Sequence, residues 1–138
     1  MLSVAPAIRA IFPLFSDIVL DAALDASGMS KDDPAHQPFL PGYRQLMDGF
    51  RDVIFESLDG PEREKRTKYI TQTVPSLLQQ TELEAMVDRT VSFSIRLTNA
   101  VVLRLPAHQR EQATAWFAEF FGSYMAELVR VGRASSAR

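Results

Sequence analysis

Two arginines, a serine and an asparagine raise the first question of chemistry. Arg89, Ser92, Arg96 and Asn99 stand at i, i+3, i+7 and i+10, so on a helix they share one stripe. Most of their surroundings are apolar. Between packed helices, two guanidiniums and an amide would bind an anion or a polar head group. The competing reading is a solvated helix edge, where arginine is ordinarily found.

An aromatic run raises the second question. Trp116, Phe117, Phe120, Phe121, Tyr124, Met125 and Leu128 recur at i, i+1, i+4, i+5 and i+8 spacing. Most such stripes are core. This one is heavy for a small bundle, so Trp116, Phe120 and Tyr124 are expected as apolar anchors of a dimer face or a ligand cavity. Aromatic residues and methionine are what interface centres favour.

Catalytic machinery is hard to assemble. His36 and His108 are the only histidines, and neither has the glutamate three residues before it that a carboxylate-bridged di-iron site needs. No metal or other cofactor is expected. There is no Gly-x-Ser-x-Gly and no glycine-rich phosphate loop. With no cysteine in the chain, thiolate nucleophiles and disulfides are excluded. Glu62, Glu64, Glu82 and Glu84 read as helix-surface carboxylates. The alternating charges from Pro61 to Lys68 read as a solvated face.

Composition narrows the partners. Fifteen basic and 17 acidic residues leave a net charge of −2. A sequence-independent nucleic-acid binder needs a cationic surplus, so no nucleic acid is expected. The apolar stretch from Leu2 to Leu24 is interrupted by Arg9, Asp17 and Asp21, which argues against a signal peptide or a membrane span. The reading is a cytoplasmic protein.

These residues must be positioned by helices. Pro13 suits the first turn of a helix to Ala26, stopped by Gly28. Ser27 to Gly42 holds Pro34, Pro38 and Pro41; it is expected to be a long connection, anchored by Phe39 and Leu40 and able to act as a gate. A second helix should span Tyr43 to Leu58, with Tyr43, Leu46, Met47, Phe50, Val53, Ile54 and Leu58 on one face. Pro61 should open a polar third helix that ends or kinks at Pro75.

Thr81 with Glu84 forms a capping-box pattern, and a fourth helix should run from there to about Leu103. Within it Val91, Phe93, Ile95 and Leu97 alternate with polar residues, a strand-like pattern. Helix is preferred because the stretch is too long for one strand and nothing elsewhere pairs with it. A last helix should follow Pro106 to about Val131, leaving 133–138 as a disordered tail.

The expected fold is all-α: one domain over residues 1–132, a bundle of about five helices with a central buried fourth helix. A sensor globin would need a proximal histidine, and Leu78 to Leu105 contains none. A repressor effector domain would carry an N-terminal helix-turn-helix, and none is found.

The expected function is a non-enzymatic regulatory or protein-interaction module that self-associates as a homo-oligomer or binds a protein partner. One alternative is a sensor with an inter-helical pocket for a small apolar or anionic ligand, which needs a cavity of a few hundred cubic ångströms, as ordinary ligand pockets do. The other is a small enzyme with His36 or His108 as general base, although neither has an orienting partner.

Overall fold

The structure is a computed structural model that describes residues 5–30, 32–59, 64–79 and 81–136. Six α-helices are described: α1 (Ala5–Ala10), α2 (Phe12–Ala26), α3 (Leu40–Asp59), α4 (Glu64–Leu77), α5 (Leu83–Val102) and α6 (Ala107–Ser136). No strand occurs among the described residues. The fold is an all-α single domain.

Five helices close a ring. α2 packs on α3 and α5, α5 on α6, α6 on α4, and α4 back on α3. α1 lies against α2 and α3 as a sixth helix beyond the five or so expected. It exists because Ile8 is fully buried, and the chain turns out of it through Ile11 N–H donating to Ile8 C=O at 3.2 Å.

The ring is held by aromatic packing. Phe50 on α3 sits edge-on to Phe93 of α5 at 5.1 Å and to Tyr124 of α6 at 5.2 Å. It also stacks on Phe121 at 5.9 Å. Edge-to-face and offset arrangements suit the ring quadrupoles. Ile54, Ile70, Leu97, Val101 and Phe117 extend the same core.

Several boundaries follow tertiary packing more than punctuation. Gly28 ends the α2 turn as expected, with φ of +70° and its N–H bonded to Asp25 C=O at 3.1 Å. The 27–42 connection is shorter than its prolines suggest. Pro34–Phe39 forms a 3-10 turn and α3 starts at Leu40. Pro41 fits there because first-turn N–H groups need no partner. Phe39 is 58% exposed, so it does not anchor the loop. Instead, Asp33 Oδ1 accepts from Ala35 N–H and His36 Nδ1 accepts from Ser30 N–H.

α4 passes through Pro75. Pro75 and Thr71 are both exposed, so water can satisfy the Thr71 carbonyl that the proline leaves without a partner. The expected capping box does not form. Glu82 is the N-cap of α5, with no side-chain cap bond, and the Thr81 N–H is used by Leu77 C=O.

α5 is a helix throughout its strand-like stretch. It packs between α2 and α6 as one member of the ring and not at its centre, and it buries only one face, through Met86, Phe93, Leu97 and Val101. The expectation of burial on most sides is corrected by Val91 and Ile95, which are 44% and 58% exposed. α6 continues to Ser136, through most of the expected tail; residues 137–138 lie outside the described ones. Gly132 is buried, and a Cβ there would run into Leu83. It is a close-packing glycine between α6 and the start of α5, not a helix stop.

Candidate functional site

At the end of the ring where α2 finishes and α3 and α5 begin, the five helices leave a cavity of about 130 Å³. Every ring helix contributes: Ala23 and Ala26 from α2, Met47 and Phe50 from α3, Tyr69 from α4, Met86 and Phe93 from α5, and Tyr124 from α6. The wall is mainly apolar and aromatic. Arg89, Thr90, Thr81, Ser27 and the tyrosines supply its polar groups. The cavity is partly open, and Arg89 is exposed beside it.

Local bonds hold the wall in place. Tyr69 donates its hydroxyl to Leu46 C=O at 3.0 Å. Gly49 makes room for this ring, since a Cβ there would stand 3.0 Å from Tyr69 Cε2. Tyr43 donates to Ser27 Oγ at 3.2 Å, joining the two ends of the connecting loop at the cavity. Thr90 donates to Met86 C=O at 2.8 Å. Its oxygen keeps a lone pair free, as a hydroxyl can accept as well as donate.

The half-buried Tyr69 and the buried Tyr124 are both held neutral. Burial raises Tyr69 far above the ordinary value of 10.0, partly offset by a hydrogen bond with Thr73. Burial also pushes Tyr124 well above that value, with Tyr69 and Glu127 adding to the shift. Neutral phenols serve as hydrogen-bonding groups and ring surface, not as bases.

The residues singled out in the sequence separate into three environments. Of the α5 stripe, only Arg89 reaches the cavity. Arg96 and Asn99 are exposed and Ser92 is half-buried, with Arg96 Nε donating to Ser92 Oγ at 3.2 Å. The stripe runs roughly 15 Å along the helix axis, at about 1.5 Å per residue, too long for all four residues to meet one cavity at the start of α5. Phe120 and Tyr124 are buried in the core. They cannot anchor a surface contact in this conformation, and Trp116, stacked on Phe120 at 5.4 Å, is the half-buried member. Neither histidine lines the cavity. His36 staples its loop, and His108 is exposed near the start of α6.

The polar run on α4 also departs from expectation. Pro61 to Arg63 lie outside the described residues, but Arg66 turns inward. Its Nε and Nη2 reach Glu127 Oε2 on α6 at 3.1 and 3.0 Å. The two side chains are only 11% and 10% exposed.

Sequence reasoning missed Tyr43, Tyr69, Met86 and Phe93 as cavity residues. They fall on ordinary core-facing positions, where a wall residue and a core residue carry the same signal. No group of three or more metal-ligating side chains is present among the described residues, and no described helix is long and apolar enough to cross a membrane. Comparison of the chain with protein-family models, curated proteins and solved structures finds no match.

Proposed function

We propose that this chain is a non-enzymatic, regulatory binding module of the cytoplasm. Its inter-helical cavity holds one small, mainly apolar molecule whose acceptor or anionic group turns toward Arg89. The observation that carries this reading is the cavity itself. Protein interiors pack as densely as organic crystals. Here five helices leave a partly open space of about 130 Å³ with a mainly apolar wall, and an apolar occupant would free the water that meets that wall. The size is near the roughly 150 Å³ at which an engineered cavity accepts benzene, so a single ring or short branched chain fits, and the ligand is smaller than a drug-sized pocket would take. Arg89 offers a forked donor suited to a carboxylate.

Native mass spectrometry of the protein as purified tests this. A fixed small mass increment is expected, and it should vanish in Ala26→Leu, which fills the cavity from α2. A bare-chain mass, together with no stabilisation by benzoate, removes the reading.

Self-association has its own support. Val91 and Ile95 lie one turn apart on the outer face of α5 and are exposed, whereas Phe120 and Tyr124 are spent on the core. Apolar residues on an exposed helix face suit contact with a second copy of the chain. Sedimentation equilibrium should then show a dimer that Ile95→Lys dissociates. A monomer in the parent protein at high micromolar concentration excludes it.

A further inference from the structure

The hydroxyls of the cavity wall are not equivalent. Three spend their protons on the protein: Tyr69 on Leu46 C=O, Thr90 on Met86 C=O and Tyr43 on Ser27 Oγ. Tyr124 differs. It is only 6% exposed, and its hydroxyl makes no hydrogen bond among the described residues. The nearby carboxylate does not take its proton, since Glu127 Oε1 has no partner either. That carboxylate oxygen is the one polar side-chain atom among the described residues that is both sealed from solvent and unpaired. The Tyr124 hydroxyl is unpaired but not sealed. It therefore meets open space, and the cavity is a space that Tyr124 lines.

An apolar molecule covering this hydroxyl would strand a donor at the full cost of its lost hydration. A molecule with an acceptor at that point would not. The acceptor has to be neutral. An anion there would be stripped of water and would face Glu127, whose charge reaches Tyr124. A carbonyl oxygen answers a lone donor best, because an alcohol would bring a proton needing an acceptor of its own.

We propose that Tyr124 sets the specificity of the cavity, and that the ligand is a small carbonyl compound of single-ring size whose oxygen accepts from Tyr124 Oη, in addition to any group turned toward Arg89. This rests on the cavity being a ligand site, and it names the class of ligand.

The test is an NMR titration of the full chain with cyclohexanone and with methylenecyclohexane, a pair of one shape that differs by the acceptor oxygen. Neither carries an anionic group for Arg89, so the pair isolates the buried contact. Both should give saturable shifts at amides of the cavity wall. Tyr124→Phe, which keeps the ring, should weaken cyclohexanone at least about fivefold and leave methylenecyclohexane within about twofold, because a site that offers a hydrogen bond discriminates through it. Independently of the variant and of its folding, the Tyr124 Cζ resonance of the parent protein should move with cyclohexanone beyond any shift caused by methylenecyclohexane. If both molecules bind, but the variant holds cyclohexanone as tightly as the parent or the Cζ shifts are equal, the Tyr124 assignment is overturned and the cavity reading stands. If neither binds, both fall.

Discussion

Arg66 and Arg96 are both helical arginines, and they meet opposite fates. Arg96 stays exposed and bonds only to Ser92 one turn away on its own helix. Arg66 crosses from α4 to α6 and closes on Glu127, with both side chains about nine-tenths buried. The stripe that looked like a site is largely solvated, and the run that looked solvated contains a buried ion pair. The residue type is the same. What differs is whether the facing helix offers a carboxylate.

Breaking the buried pair gives the largest expected effect. Glu127→Ala should destabilise the fold by about 3–5 kcal/mol, because it strands a buried guanidinium. The drop should appear in urea denaturation with an unchanged slope. Replacing both partners together, Arg66→Met with Glu127→Leu, should recover most of that loss. A cost for Glu127→Ala of under about 1 kcal/mol would class the pair with ordinary surface salt bridges and dissolve the contrast.

Tyr69 and Tyr124 extend the comparison to pH. Burial raises the folded-state values of Tyr69 and Tyr124 above the ordinary 10.0. Above that pH the unfolded chain loses phenolic protons that the folded chain keeps. Stability is therefore full below pH 10 and falls as pH rises beyond it, by up to about 1.4 kcal/mol per pH unit for each tyrosine. Urea midpoints measured from pH 8 to 11 should show the decline, and Tyr69→Phe should flatten it. A profile unaffected by Tyr69→Phe would mean the ring is solvated and the cavity wall more open than described.

A smaller effect is expected at Gly28, whose φ of +70° penalises any side chain. Gly28→Ala should cost about 1–2 kcal/mol in thermal or urea unfolding. Nothing lies within contact of its Cβ position, so the whole loss is backbone strain. The smallest effect belongs to the solvated arginine: Arg96→Ala should stay within about 0.5 kcal/mol of the parent. If it costs as much as Glu127→Ala, then α5 is covered by a partner in solution.

Much of the helical content was readable because its signals are local. The apolar face of α3, Pro13 in the first turn of α2 and the stop at Gly28 each act within a few residues. The strand-like alternation of Val91 to Leu97 misleads only if read without its length. Errors arose where a local signal was outweighed from a distance. Of the two outcomes expected at Pro75, an end or a kink, the end does not occur, because the lost bond faces water. Gly132 does not end α6, because the helix continues against Leu83. Thr81 and Glu84 have capping-box spacing, yet α5 starts one residue too late to use it.

The candidate site and the buried pair were less legible for a related reason. Phe50, Tyr69 and Phe93 occupy the same kind of position as any core residue, and Glu127 sits among residues that read as outward-facing. Periodicity and punctuation follow from steric and hydrogen-bonding rules between neighbours in the chain, so the sequence alone determined an all-α bundle and most of its helices. Which arginine meets a carboxylate, and where five helical surfaces fail to fill the space between them, depends on the angles and offsets at which distant segments pack. Those were decided only in the tertiary structure, because a cavity and a buried pair are properties of facing surfaces that no single segment contains.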